Sequence, residues 1–175
     1  MAAKLPWFER AFNFNYPLGL FPDIIERLRG TPARVEEKLR GIPSEILTRR
    51  EQTGWSIQEN LGHLLTMEPL WAGRVDDFLE NKPVLRAADL SNTATTQAGF
   101  NGQPVRQVLE GFRRERTRLV ARLECLSDSD FARTSLHPRL NQPMRLVDAA
   151  CFVACHDDYH LARMSELMRM FGSSG

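Results

Sequence analysis

The sequence predicts an all-α fold, a four-helix bundle in up-down-down-up order. Three observations carry this reading. Apolar residues recur at helical spacing over four long stretches. No stretch alternates apolar and polar residues as a half-buried strand would. A long aperiodic segment, residues 81–103, separates the second helix from the third, which allows those two to run parallel.

Composition fits such a bundle. The 175 residues are 42% hydrophobic and 26% charged, which is globular rather than disordered composition. The expectation is one domain over 1–175, with its core over about 22–171, large enough to bury roughly 70% of the unfolded surface without disulfides. Three cysteines, an odd number, favour a reducing, cytoplasmic compartment. The start, MAAKLPWFERAF, lacks the apolar stretch of a secretory signal, and no window is long and apolar enough for a membrane span. A net charge of +1 argues against nucleic acid and anionic lipid as partners.

The first helix is placed at 22–40, with Ile24, Ile25, Leu28, Val35 and Leu39 inward. Gly30, Thr31 and Pro32 either bend it or cap a restart. The second runs from Ser56 to residue 80. Ser56 followed by Glu59 is a capping-box pattern, and Pro69 predicts a bend because the apolar period resumes beyond it. The third, residues 104–125, turns Val108, Phe112, Leu119 and Leu123 inward. A turn-rich link, 127–143, leads to the last helix at 144–171.

The chemistry lies with the histidines. His156 and His160, in CHDDYH, are four apart on the last helix and share the inward stripe with Val153, Met164 and Leu167. Two buried imidazoles need partners, which a divalent metal or hydrogen bonds to neighbouring helices would supply. His63, among Leu61, Leu64 and Leu65 on a facing helix, makes a third ligand or an isolated polar residue on an apolar face.

The run GWSIQENLGHLLTMEPLW, then GFRRER, then HDDYHLARM resembles the DinB-like superfamily, the damage-inducible, YfiT-like group of four-helix-bundle proteins. The likeness extends from 22 to 171, and rests most on the tryptophan eight residues before the histidine and the H-x-x-x-H of the last helix. It implies one divalent metal held by His63, His156 and His160, and a homodimer. It also implies thiol-dependent transferase or isomerase chemistry with a low-molecular-weight thiol, or metal-dependent hydrolysis. Zinc or nickel suits such ligands first, with iron, manganese or copper compatible.

Glu59, one turn before His63, is a candidate to orient an imidazole or act as a base, against its rival role in the helix cap. Asp157 and Asp158 project away from the histidine stripe and are expected to be solvated or bonded to a neighbouring helix. Cys151 and Cys155 are expected to pack as small hydrophobes, and His137 to be a loop residue. Arg116 falls on the inward stripe of the third helix. If buried, it demands a carboxylate, with Glu68 or Asp77 the candidates.

Three neutral imidazoles leave a metal charged and open, able to lower a bound water's pKa to roughly 7 or to deprotonate a thiol. The reading is therefore a metal-dependent thiol transferase. The alternatives are a metal-dependent hydrolase and a non-catalytic, metal-stabilised binding or stress-response bundle. In the crossover, the first residues are expected to start remote from the metal, residues 100–103 to wall the pocket, and residues 91–97 to be dispensable for metal binding.

Overall fold

The computed structural model describes residues 4–172. The ends of the predicted domain, and with them the first residues of the segment read for a secretory signal, lie outside the described residues. Four long helices form the bundle: α1 (Phe21–Leu39), α3 (Ile57–Leu79), α5 (Val105–Glu124) and α7 (Leu146–Gly172). Three short ones, α2 (Ser44–Thr48), α4 (Thr93–Gln97) and α6 (Asp128–Phe131), lie in the connections. No described helix is long and apolar enough to cross a membrane.

Side-chain contacts fix the helix directions. Between α3 and α5, Gln58 reaches the Gln103 carbonyl, Glu68 meets Arg116, and Asp76 meets Arg122. Both series ascend, so the pair is parallel. Between α1 and α7, Arg27 meets Asp158 and Lys38 meets Ser165, again parallel. Arg29 with Glu124 and Glu36 with Arg113 run α1 against α5, and Asn60 with His160 runs α3 against α7. The order is up-down-down-up, as the sequence predicts.

The core splits into two apolar clusters. One contains Leu28, Trp71, Leu119 and Val153; the other contains Val35, Leu64, Phe112 and Leu161. Between them lies a polar layer with one residue from each long helix: Thr31, Glu68, Arg116 and Asp157, all buried. Arg116 donates to Glu68 Oε1 at 2.6 Å and to Asp157 Oδ1 at 3.1 Å, and Thr31 donates to Asp157 at 2.9 Å. Helix α1 is continuous through Pro32, so the sequence GTP does not restart it. Pro32 has no N–H for the Leu28 carbonyl, and Arg116 Nη1 takes that acceptor at 3.3 Å. Of the two partners considered for Arg116, Glu68 is the one used. Asp77 instead receives Arg86 at 2.8 and 2.9 Å.

Two expectations are corrected. The link at 127–143 is not merely turns: β1 (Thr134–His137) and β2 (Gln142–Arg145) pair antiparallel, with Ser135 opposite Met144. Segment 81–103 is not wholly irregular either. It carries α4, and its start is pinned to the hairpin, where Leu136 donates to the Pro83 carbonyl at 2.9 Å and Leu85 to the Leu136 carbonyl at 3.0 Å.

Candidate metal centre and adjoining cavity

The capping box read from Ser56 and Glu59 starts α3: Ser56 Oγ accepts from the Glu59 amide at 3.0 Å, and Glu59 Oε2 from the Ser56 amide at 2.9 Å. One turn further, His63 faces α7. There His156 and His160, one helical turn apart, complete a buried cluster in which one ring nitrogen of each histidine lies within 4.8 Å of those of the others. The structure thus brings together the three histidines singled out in the sequence.

Neighbouring side chains fix the tautomers. Asn60 gives its amide N–H to the Ser56 carbonyl at 2.8 Å, which turns its Oδ1 to His160 Nδ1 at 2.9 Å. An amide oxygen only accepts, so His160 Nδ1 carries the proton and Nε2 is bare. His63 is fixed by a relay. Thr66 donates to the His63 carbonyl at 3.0 Å, so in its 2.8 Å contact with Thr95 it accepts. With its only proton spent on Thr66, Thr95 Oγ1 accepts from His63 Nδ1 at 3.0 Å. His63 Nε2 is bare as well.

Two bare nitrogens therefore stand beside His156, whose Nε2 is 3.3 Å from His63 Nε2. Tetrahedral zinc–nitrogen bonds of about 2.0–2.1 Å put adjacent nitrogens about 3.3–3.4 Å apart, so the spacing fits. His156 Nδ1 is buried without a partner, so no hydrogen bond commits that ring elsewhere. Burial holds all three imidazoles neutral: His63 and His156 are pushed down to about 3, and His160 well below its ordinary value. Neutral imidazole is the form a metal takes. The donor set fits one divalent cation.

Other candidates separate. Glu59 is committed to the cap and to an ion pair with Arg50; the imidazoles are oriented by Asn60 and Thr95 instead. Asp157 serves Arg116, and Asp158 pairs with Arg27 and Arg34. Cys151 is buried in the core, and Cys155 lies beside it, half-buried. His137 is not an exposed loop residue. It ends β1, is buried, and has its ring 5.3 Å from that of Phe152.

A cavity of about 500 Å³ adjoins the histidines, lined by Trp7, Trp55, Met67, Trp71, Phe152 and Tyr159 among others. Its outer wall comes from the early crossover, Ala87–Leu90 with Asn92, contrary to the expectation that these residues start remote and that 100–103 form the wall. Phe100 packs instead in the second apolar cluster, against Gly62, where a Cβ would run into its ring. The sequence reading missed Trp7, Thr95 and Arg74. Asn60 had a signal: a polar residue one turn before His63, next to the inward-facing Leu61.

The fold is a parallel-paired four-helix bundle whose three neutral histidines, beside an aromatic cavity, form a candidate metal-ligand set. The DinB superfamily model matches residues 27–164, and the chain belongs to that superfamily. Among solved structures, YfiT from Bacillus subtilis, described as a probable metal-dependent hydrolase with an unusual four-helix bundle topology, superposes with a TM-score of 0.80 at 20% identity, over 93% of this chain and 94% of YfiT. The mycothiol-dependent maleylpyruvate isomerase superposes at 0.64 with 10% identity, over 84% of this chain and 60% of that one. No curated protein matches the sequence significantly.

Proposed function

We propose that the protein is a metal-dependent enzyme that activates a low-molecular-weight thiol for transfer to a small electrophile, working in the cytoplasm as a homodimer without nucleic acid or membrane. The observation that carries this is the pair of bare Nε2 lone pairs, on His63 and His160, beside a cavity large enough for a thiol and an electrophile together. A divalent ion, zinc or nickel first, supplies Lewis acidity that lowers the pKa of a thiol or water bound to it.

The residues themselves favour the thiol. Water attack is helped by a base, and among the described residues the carboxylate lining the cavity is Asp89, whose oxygens are taken up by the Ser91 and Thr93 amides. A thiol, once deprotonated, needs no such base. Asn60 and Thr95 hold two imidazoles in the ligating tautomer, and the rings of Trp7, Trp55 and Trp71 pack against the histidines. YfiT's description favours hydrolysis as a second reading.

The two readings differ in assay. Protein loaded with zinc or nickel is expected to conjugate thiols to an electrophile faster than it hydrolyses an activated ester. Ester turnover without any thiol requirement would establish the hydrolase. Absence of bound metal and of turnover in both assays would leave a binding bundle.

A further inference from the structure

Part of the cavity lining, Trp71, Arg74, His137 and Arg139, carries N–H donors that have no acceptor among the described residues. His137 Nδ1 accepts from the Leu140 amide at 3.2 Å, so in the neutral ring the proton is on Nε2. That Nε2 lies 3.4 Å from Arg74 Nη1, which is also a donor. With the proton on Nε2 the contact is two N–H donors side by side rather than a hydrogen bond. Trp71 Nε1 and Arg139 Nη2 are both buried without a partner and belong to the same lining.

Charge agrees with hydrogen bonding. Arg74 is 5% exposed, and among the described residues its acceptor is the Arg86 carbonyl at 3.1 Å. Of the two acids next along α3, Asp76 pairs with Arg122 and Asp77 has both oxygens engaged by Arg86. Asp89 is engaged in its own turn. Among the described residues neither Arg74 nor Arg139 forms an ion pair, whereas the other buried arginine, Arg116, has two. Burial pulls Arg74 down to about 10, more than the nearby Asp77 carboxylate holds it up, and the Arg139 and Arg86 charges add to the fall.

We propose that Arg74, His137, Arg139 and the Trp71 N–H form an anion-binding subsite for a carboxylate or phosphate group of the substrate. Two planar guanidinium groups suit either oxyanion. The substrate's apolar body then lies along Trp71 and Phe152. Trp71 links the two ends of the cavity: its ring is 5.5 Å from the His156 ring and 5.5 Å from the Arg74 guanidinium carbon. An anion held at one end places a reactive atom one aromatic width away, at the histidines. The assignment of substrate class rests on the proposed reading of those histidines as the reaction centre. The subsite itself needs no metal.

The test uses chelated, metal-free protein with benzoate, phenyl phosphate and neutral benzamide as probes, followed by calorimetry and tryptophan quenching. At least one anion is expected to bind about tenfold or more tightly than benzamide, and the better of the two identifies carboxylate or phosphate. Arg139→Gln, at a half-buried site, and Trp71→Phe should each reduce that preference, with thermal unfolding followed in parallel. Equal binding of benzamide, no binding of either anion, or a preference untouched in both variants would overturn the subsite. An anion preference in a protein that takes up no metal would leave the subsite standing and remove the metal-enzyme reading.

Discussion

Thr95 accepts the Nδ1 proton of His63 at 3.0 Å, across thirty-two residues of chain. A threonine on a five-residue helix in the crossover thus sets which nitrogen of a helix-α3 histidine is bare. Thr95→Val keeps the shape and removes the acceptor. Metal affinity is expected to fall about 10–100-fold with helicity unchanged, as read by titration with a competing chelator. Deleting 91–97 should weaken metal binding at least as much, which reverses the expectation that this stretch is dispensable.

Replacing His63, His156 or His160 by alanine is expected to abolish stoichiometric metal, measured by elemental analysis, while His137→Ala retains it. In the parent protein a hundredfold excess of metal over its dissociation constant should add about 2.7 kcal/mol to stability. The apo form should stay folded, because neither apolar cluster is built from the three histidines. Equal loss from all four alanine variants would mean a different ligand set.

Metal-free protein should lose stability in acid. His63 and His156 fall from 6.5 to about 3, His137 to about 4, and His160 lies well below 6.5, so the unfolded chain binds more protons than the native one below pH 6.5. Their contribution is complete above pH 6.5 and is lost as pH falls toward 3. Glu68 opposes this: burial raises it to about 7, which favours the native state below 4.5 and is lost as pH rises through 7. Four imidazoles outweigh one carboxyl. Denaturation midpoints should drop between pH 6.5 and 4, and a flat profile would contradict the neutral-histidine assignment.

Asp157 and Asp158 are neighbours with opposite expected costs. Removing Asp157 leaves Arg116 buried with an incomplete counter-charge, so Asp157→Ala should cost about 3–5 kcal/mol. Asp158, 40% exposed with Arg27 and Arg34, should cost below about 1 kcal/mol on removal. Urea unfolding of the two variants reads the difference directly.

How much of this was legible follows from the range of each interaction. The long helices, the Ser56–Glu59 box and the His156–His160 spacing are local patterns of period 3.6, and they stand in the structure close to where the sequence puts them. Arg116 was visible as a charge on an apolar stripe. The hairpin was not: β1 and β2 have four residues each, and Pro143 interrupts the strand signal. His137 before Pro138 has the local grammar of a turn. Its burial comes from Phe152 on a distant helix. Thr95 and Arg74 matter only because the crossover is tied back to β1, a contact with no trace in local sequence.

The layer of Thr31, Glu68, Arg116 and Asp157 has a consequence for assembly. Each long helix contributes one polar tooth between two apolar clusters, so the four can mesh at only one height. Sliding α5 by a turn would put a guanidinium opposite leucine and phenylalanine and leave two acids stranded. Greasy helices tolerate such slippage; these do not. The layer acts as a vernier that keeps His63 level with His156 and His160, so the candidate metal centre depends on the alignment of four charged or hydroxylated marks along the bundle.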